Sequence, residues 1–147
     1  MDWETIFSLA NGFAMIAWIV LLLAPRREWL FTLLRDGAVG LLCLAYAAIL
    51  IYLMFFATGG GDEGGPDFTT LQGVMALFAT EGGTTVGWIH YLAFDLFAGL
   101  WVARNADEIA LSRIVQVPIL LATFLFGPVG LLIFLIVRRI HMARSPA

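Results

Sequence analysis

The sequence predicts an all-α, polytopic membrane protein of about four transmembrane helices, with a short interfacial helix between the second and third. Three observations predict it. Of 147 residues, 61% are hydrophobic and 13% charged, against about 45–50% apolar and about 25% charged in a soluble domain. Predominantly apolar segments of about 20 residues, the length a helix needs to cross a hydrocarbon core about 30 Å thick, recur four times. The one long connection between them is rich in glycine and acidic residues, as a solvent loop is.

The first segment, 5–24, carries no charge. Its leading residues Met1-Asp2-Trp3-Glu4 are acidic rather than basic, and no small-residue cleavage pattern precedes Pro25, so it reads as a retained span rather than a signal peptide. The second, 37–57, is also uncharged and contains Cys43, the single cysteine, which excludes an intramolecular disulfide and a multi-thiolate metal site. The run Gly59-Gly60-Gly61-Asp62-Glu63-Gly64-Gly65-Pro66-Asp67 is too flexible and polar for a helix. After it, 68–80 places apolar residues at roughly helical spacing but is too short to span, so an interfacial or re-entrant helix is expected, placed to lie over the bundle as a lid. The third span, 82–103, is interrupted by His90 and Asp95, and the fourth, 114–137, contains Pro118 and Gly127-Pro128-Val129-Gly130. Backbone in lipid must satisfy its own polar groups, so each span should be helical, with a kink or break at Pro128. That bend is either a packing feature or a means of widening a pocket opposite the third helix. No repeat or second domain is visible, and residues 1–147 read as a single transmembrane domain.

The basic residues flanking the spans set orientation. All eight are arginines. Arg26, Arg27 and Arg35 in the first connection and Arg104 and Arg113 in the third favour a cytoplasmic side there, and the acidic second connection lies outside. Four simple spans then put the C-terminal Arg138, Arg139 and Arg144 outside as well, against the same rule, unless the Gly-Pro break turns the fourth segment back as a hairpin. The formal net charge of −3 and the lack of a basic stripe argue against nucleic acid as a partner.

An ionisable side chain inside a span costs a few kcal/mol on insertion scales and therefore needs a partner or a task. At about 100° per residue, Trp88, Tyr91, Asp95, Ala98 and Val102 share one face, while His90, Phe94, Phe97 and Trp101 form another. Asp95 and His90 lie about 140° apart around the helix, at depths on the order of 20 and 12 Å from its outer end. Tyr91, four residues before Asp95, is within reach of its carboxyl group. Asp95 is either an assembly contact between helices or a proton donor or acceptor for a bound substrate. With only His90 and His141 available, haem or a three-ligand metal site has little support, and no cofactor is expected. Trp3, Trp29 and Trp88 fit an interfacial belt, whereas Trp18 and Trp101 offer flat walls for an extended apolar ligand. Arg104 reads as an anchor at the helix end. Small-residue faces at Gly37-Ala38-Val39-Gly40 and Ala98-Gly99 would favour a homodimer.

The run Trp88-Ile89-His90-Tyr91-Leu92-Ala93-Phe94-Asp95-Leu96-Phe97, with Trp101 and Arg104, Gly127-Pro128-Val129-Gly130, and Asn11, Trp18 and Pro25, resembles the abscisic-acid-deficient, or neoxanthin synthase, family of plants and its bacterial relatives. The resemblance covers nearly the whole chain. It implies a small membrane protein of carotenoid metabolism, and in plants the isomerisation of violaxanthin to neoxanthin, which opens an epoxide and removes a proton from the polyene without a redox cofactor. It further implies His90 and Asp95 as an acid–base pair, with Glu81 and Tyr91 as helpers, and Trp88, Trp101, Trp18, Asn11, Arg104 and Pro128 against the substrate. A carotenoid or another isoprenoid lipid is the implied partner. A non-catalytic carotenoid-binding or assembly protein is the alternative. The acidic glycine loop and the absence of an organelle-targeting extension point to a bacterial inner membrane.

Overall fold

A computed structural model describes residues 2–57 and 68–144. The acidic glycine loop lies outside them. Among the described residues the only regular elements are helices, in the order α1 (Trp3–Leu23), α2 (Glu28–Phe56), α3 (Leu71–Phe78), α4 (Glu81–Glu108), α5 (Arg113–Phe126) and α6 (Pro128–Arg144). Three of these, α1, α2 and α4, are long and apolar enough to cross a membrane.

Helix starts follow local chemistry. Asp2 caps α1, its carboxylate accepting from the Thr5 amide at 3.2 Å and the Thr5 hydroxyl at 2.6 Å, and these bonds hold the Asp2 carboxyl below its ordinary value. Thr70 and Thr80 cap α3 and α4, their hydroxyls accepting from the Gly73 and Gly83 amides. Helix α2 begins at Glu28, well before the apolar segment 37–57, and widens into π-helical turns at Leu33–Val39 and Leu53–Ala57. Arg35 and Asp36, expected in a connection, therefore stand on the helix, exposed and paired at 2.7 Å. Leu30 and Leu34 bury one face of this early part and hold it to the bundle.

Helix α4 is central and the most buried of the three long helices. It contacts every other helix of the bundle, and close approach depends on its small residues. A Cβ at Gly99 would lie 2.3 Å from the Trp18 ring, so the absence of a side chain there seats the α1 indole, itself 2% exposed, against the α4 backbone. Gly99 thus serves packing within one chain. Within 68–80 a short helix is present as α3, with Leu71, Met75 and Phe78 exposed.

The predicted fourth span is broken beside Pro128, one of the two outcomes expected there. Residues 114–137 do not form one continuous helix; α5 ends at Phe126, and Gly127, at φ +34°, starts a new direction. Pro128 does not kink a helix but opens one, at the first position, where its missing amide hydrogen costs nothing. Helix α6 then returns beside α5 and α4: Gly127 lies against Asp95, Phe134 meets Trp101 edge-on at 5.7 Å, and His141 Nε2 lies 3.1 Å from the Ile109 carbonyl. The hairpin enters and leaves at the same end of the bundle. Its arms have 14 and 17 described residues, about 21 and 26 Å, and neither reaches the roughly 20 residues of a span.

Candidate functional site

The tip of this hairpin meets the middle of α4. Asp95 is 8% exposed, and its Oδ2 is buried without a hydrogen-bond partner. A Cβ on Gly127 would lie 2.4 Å from Asp95 Oδ1, so the carboxyl group sits in a cradle that only glycine leaves open. The amino end of α6, with its partial positive charge, starts at the next residue. Tyr91, one turn earlier on α4, donates its hydroxyl to the Leu125 carbonyl at 3.3 Å and lies beside the Asp95 carboxyl. Pro128, exposed, fixes the hairpin's new direction next to this site.

A row of rings leads away from it toward the N-terminal end of α4. Tyr91 stacks on Trp88 at 5.2 Å and 22°, and Trp88 on Phe7 of α1 at 5.8 Å and 29°. The Trp88 indole donates to Asn11 Oδ1 at 2.8 Å, while Asn11 Nδ2 donates to the Phe7 carbonyl at 3.1 Å. Asn11 therefore fixes the angle of the row. Phe7 also lines an open cleft of about 600 Å³, together with Asp2, Trp3, Glu4, Thr80, Glu81, Thr84 and Thr85. Glu81 stands at the mouth, exposed, as the first residue of α4.

The remaining predicted residues lie elsewhere. His90 is exposed, stacked on Phe94 at 4.6 Å and tilted against Tyr46 of α2 at 5.4 Å, on a face away from Asp95. Trp18 is core, with Phe124 edge-on at 5.4 Å. Trp101 is partly exposed on Phe134. Arg104 pairs with Glu28 at 3.4 Å and Glu108 at 3.7 Å at the far end of α4. Asp95, Tyr91, Trp88 and Asn11 are thus joined in one continuous set, with Glu81 at its outer end, and His90, Trp18, Trp101 and Arg104 are not.

A second polar cluster escaped the sequence reading. Arg26, whose side chain is 6% exposed, donates to Asp107 at 2.8 Å, to the Ala103 carbonyl at 3.1 Å and to the Gln116 side-chain oxygen. Gln116, 1% exposed, donates in turn to Asp107 at 3.0 Å and the Leu111 carbonyl at 2.6 Å. Burial pulls the Arg26 guanidinium below its ordinary value, and Asp107 beside it pulls the other way. This cluster ties the α1–α2 connection to the base of the hairpin. The signal available in the sequence is Gln116, the only amide side chain in 114–137, which a count of charged residues passes over.

A sequence profile described as ABA DEFICIENT 4-like matches residues 5–134, which include α1 through Phe134 of α6 and every residue of the set joined to Asp95. No curated protein and no solved structure matches the chain.

Proposed function

The chain belongs to the ABA DEFICIENT 4-like family, and on that premise we propose that it is a membrane enzyme that isomerises a carotenoid or related isoprenoid by acid–base chemistry at Asp95. The observation that carries this reading is the buried carboxyl group with one unpartnered oxygen at the hairpin tip. A carboxyl group so placed can take a proton from a substrate carbon or give one to a substrate oxygen. Tyr91 is the second proton-bearing group at the same place. In an epoxide opening of the kind the family resemblance implies, one C–H and one C–O bond break while a C=C and an O–H form. Such a step balances with a base and an acid alone. Trp88 and Asn11 serve as wall and positioning residue, and His90, facing away with Tyr46 and Phe94, stands outside the reacting pair.

Orientation follows from the hairpin. Three crossings by α1, α2 and α4 and a re-entrant α5–α6 pair collect the arginines near one end, where Arg26 meets Asp107, Arg104 meets Glu28 and Arg113 meets the carbonyls of Leu22 and Ala24. We place that end in the cytoplasm of a bacterial inner membrane, with the N-terminus outside and the C-terminus inside. The conflict between flanking charges and four spans then vanishes.

The decisive measurement is the absorption and mass spectrum of lipid that co-purifies with the detergent-extracted protein, followed by conversion assays on the pigment found. Asp95→Asn should fold normally and lose conversion. A second reading, a non-catalytic pigment-binding or assembly protein, draws on the tight fit of Asp95 against Gly127. No conversion of the bound pigment by the unaltered protein, or loss of folded protein in Asp95→Asn, would favour it.

A further inference from the structure

We infer that Arg26, Arg113 and the amino end of α5 form a binding site for the phosphate group of an anionic membrane lipid. The site lies at the base of the α5–α6 hairpin, away from Asp95 at its tip, and does not depend on what Asp95 does. Arg26 makes all its bonds through one nitrogen. Nη1 donates to Asp107, to the Ala103 carbonyl and to the Gln116 side-chain oxygen, while Nε and Nη2 have no acceptor. These two nitrogens share one edge of the planar guanidinium and aim two N–H bonds the same way, the arrangement that pairs with two oxygens of one anion. The side chain is 6% exposed. A charged edge so buried without acceptors is costly, and a bidentate anion removes that cost.

Further donors stand beside that edge. Ser112 makes no capping bond at the start of α5, and the amides of Arg113 and Ile114 have no acceptor among the described residues. Such amides, with the partial positive charge of a helix end, favour an anion. Arg26 reaches the first turns of this helix through Gln116, and the Arg113 charge is near enough to oppose its own. Asp107 offsets one of the two guanidinium charges and leaves the other. A carboxylate has two oxygens, which the Arg26 edge takes up; a phosphate has others for Arg113 and the α5 amides. Leu23, Trp29 and Ile114, neighbours of these residues in the chain, are 78%, 61% and 87% exposed and give acyl chains an apolar surface, so the phosphate arrives on a lipid. Nε and Nη2 are closed from solvent, and a side chain must move to admit it. Arg113 is exposed and held by two long bonds, 3.4 Å to the Leu22 and Ala24 carbonyls, which it exchanges for a charge-assisted bond to the lipid. Lipid bound there ties the α1–α2 connection to the hairpin.

The test is native mass spectrometry of the full chain released from detergent and titrated with dioleoyl phosphatidylglycerol, with dioleoylglycerol as the comparator that lacks phosphate. The unaltered protein should retain one phosphatidylglycerol about tenfold more tightly than dioleoylglycerol. Arg26→Lys keeps the charge, removes the paired edge and should weaken retention about fivefold. Because Arg26 is buried in a network, Arg113→Gln on the surface gives a second reading if that variant does not fold, and should weaken retention about threefold. Arg139→Gln, the same change of charge at an exposed position of α6 outside the site, should stay within about twofold of the unaltered protein. Displacement of the lipid by millimolar inorganic phosphate would uphold the site and assign it to a free anion as well. Equal retention of phosphatidylglycerol and dioleoylglycerol would overturn the inference. So would unchanged retention in folded Arg26→Lys, or equal losses in Arg113→Gln and Arg139→Gln, which would reduce the effect to general charge attraction.

Discussion

Asp95 and Gly127 are 32 positions apart in sequence and in contact in space, and each explains the other. A carboxyl group near the middle of an apolar helix needs room at its oxygens, and the missing side chain of Gly127 supplies it. The same glycine holds φ +34°, which L residues avoid. Gly127→Ala should therefore destabilise the fold by about 1–3 kcal/mol from backbone strain alone, with steric overlap on Asp95 adding to it. Thermal unfolding in detergent measures this; a melting temperature equal to that of the unaltered protein would refute the cradle. Asp95 itself was legible, because an ionisable residue in an apolar run is conspicuous. Its partner was not, because the sequence shows Gly127-Pro128 as a bend without showing what the bend touches. His90 was conspicuous for the same reason as Asp95, yet helical geometry already set the two about 140° apart, and the structure gives His90 an exposed aromatic setting instead.

At the scale of elements, the α5–α6 hairpin is held at its base as well as at its tip. Arg26 and Gln116 are buried and share the exposed Asp107, and Arg26 donates to the Gln116 side-chain oxygen, so removing Arg26 takes that donor away from a buried amide. Arg26→Ala should cost about 1–3 kcal/mol, the penalty for a buried polar group left unsatisfied. Gln116→Leu should cost a similar amount, and the double variant less than the sum, because the two share one network. Additive losses in the double variant would show that they act independently. Three of the four expected spans correspond to helices long enough to cross a membrane because apolar length is a local property that the sequence displays directly. The fourth segment, 114–137, is apolar throughout, and hydropathy carries no sense of direction; the break expected beside Pro128 falls at Gly127, at positive φ, and divides the segment into two helices. The start of α2 was set too late for a related reason. Arg35 and Asp36 neutralise each other on the helix surface, and a count of apolar residues treats them as a loop.

For the molecule as a whole, the hairpin makes two statements that labelling can check. Ser112, just before α5, and Met142, in the last turn of α6, lie toward the same end. Single cysteines placed at either position in a Cys43→Ser background should both react with a membrane-impermeant maleimide from the cytoplasmic side; labelling from opposite sides would restore a continuous fourth span. The outward surface of α2 raises the matter of a second copy. Only 11% of its most apolar window is buried within the chain, and a Cβ at Gly40 would meet open space, whereas Gly99 is already filled by Trp18. Of the two small-residue faces, the one at Gly37–Gly40 therefore remains available for close helix approach. Cys43 is exposed one turn beyond Gly40 on the same helix and reports on that surface without any added probe. If two α2 helices pack there, mild oxidation in native membranes should link Cys43 to Cys43 and give a dimer that reductant dissolves and Cys43→Ser abolishes. Gly40→Leu should weaken the link by forcing the helices apart while leaving the chain folded, since nothing inside the protomer occupies that space. Monomer alone after oxidation would assign the face to lipid.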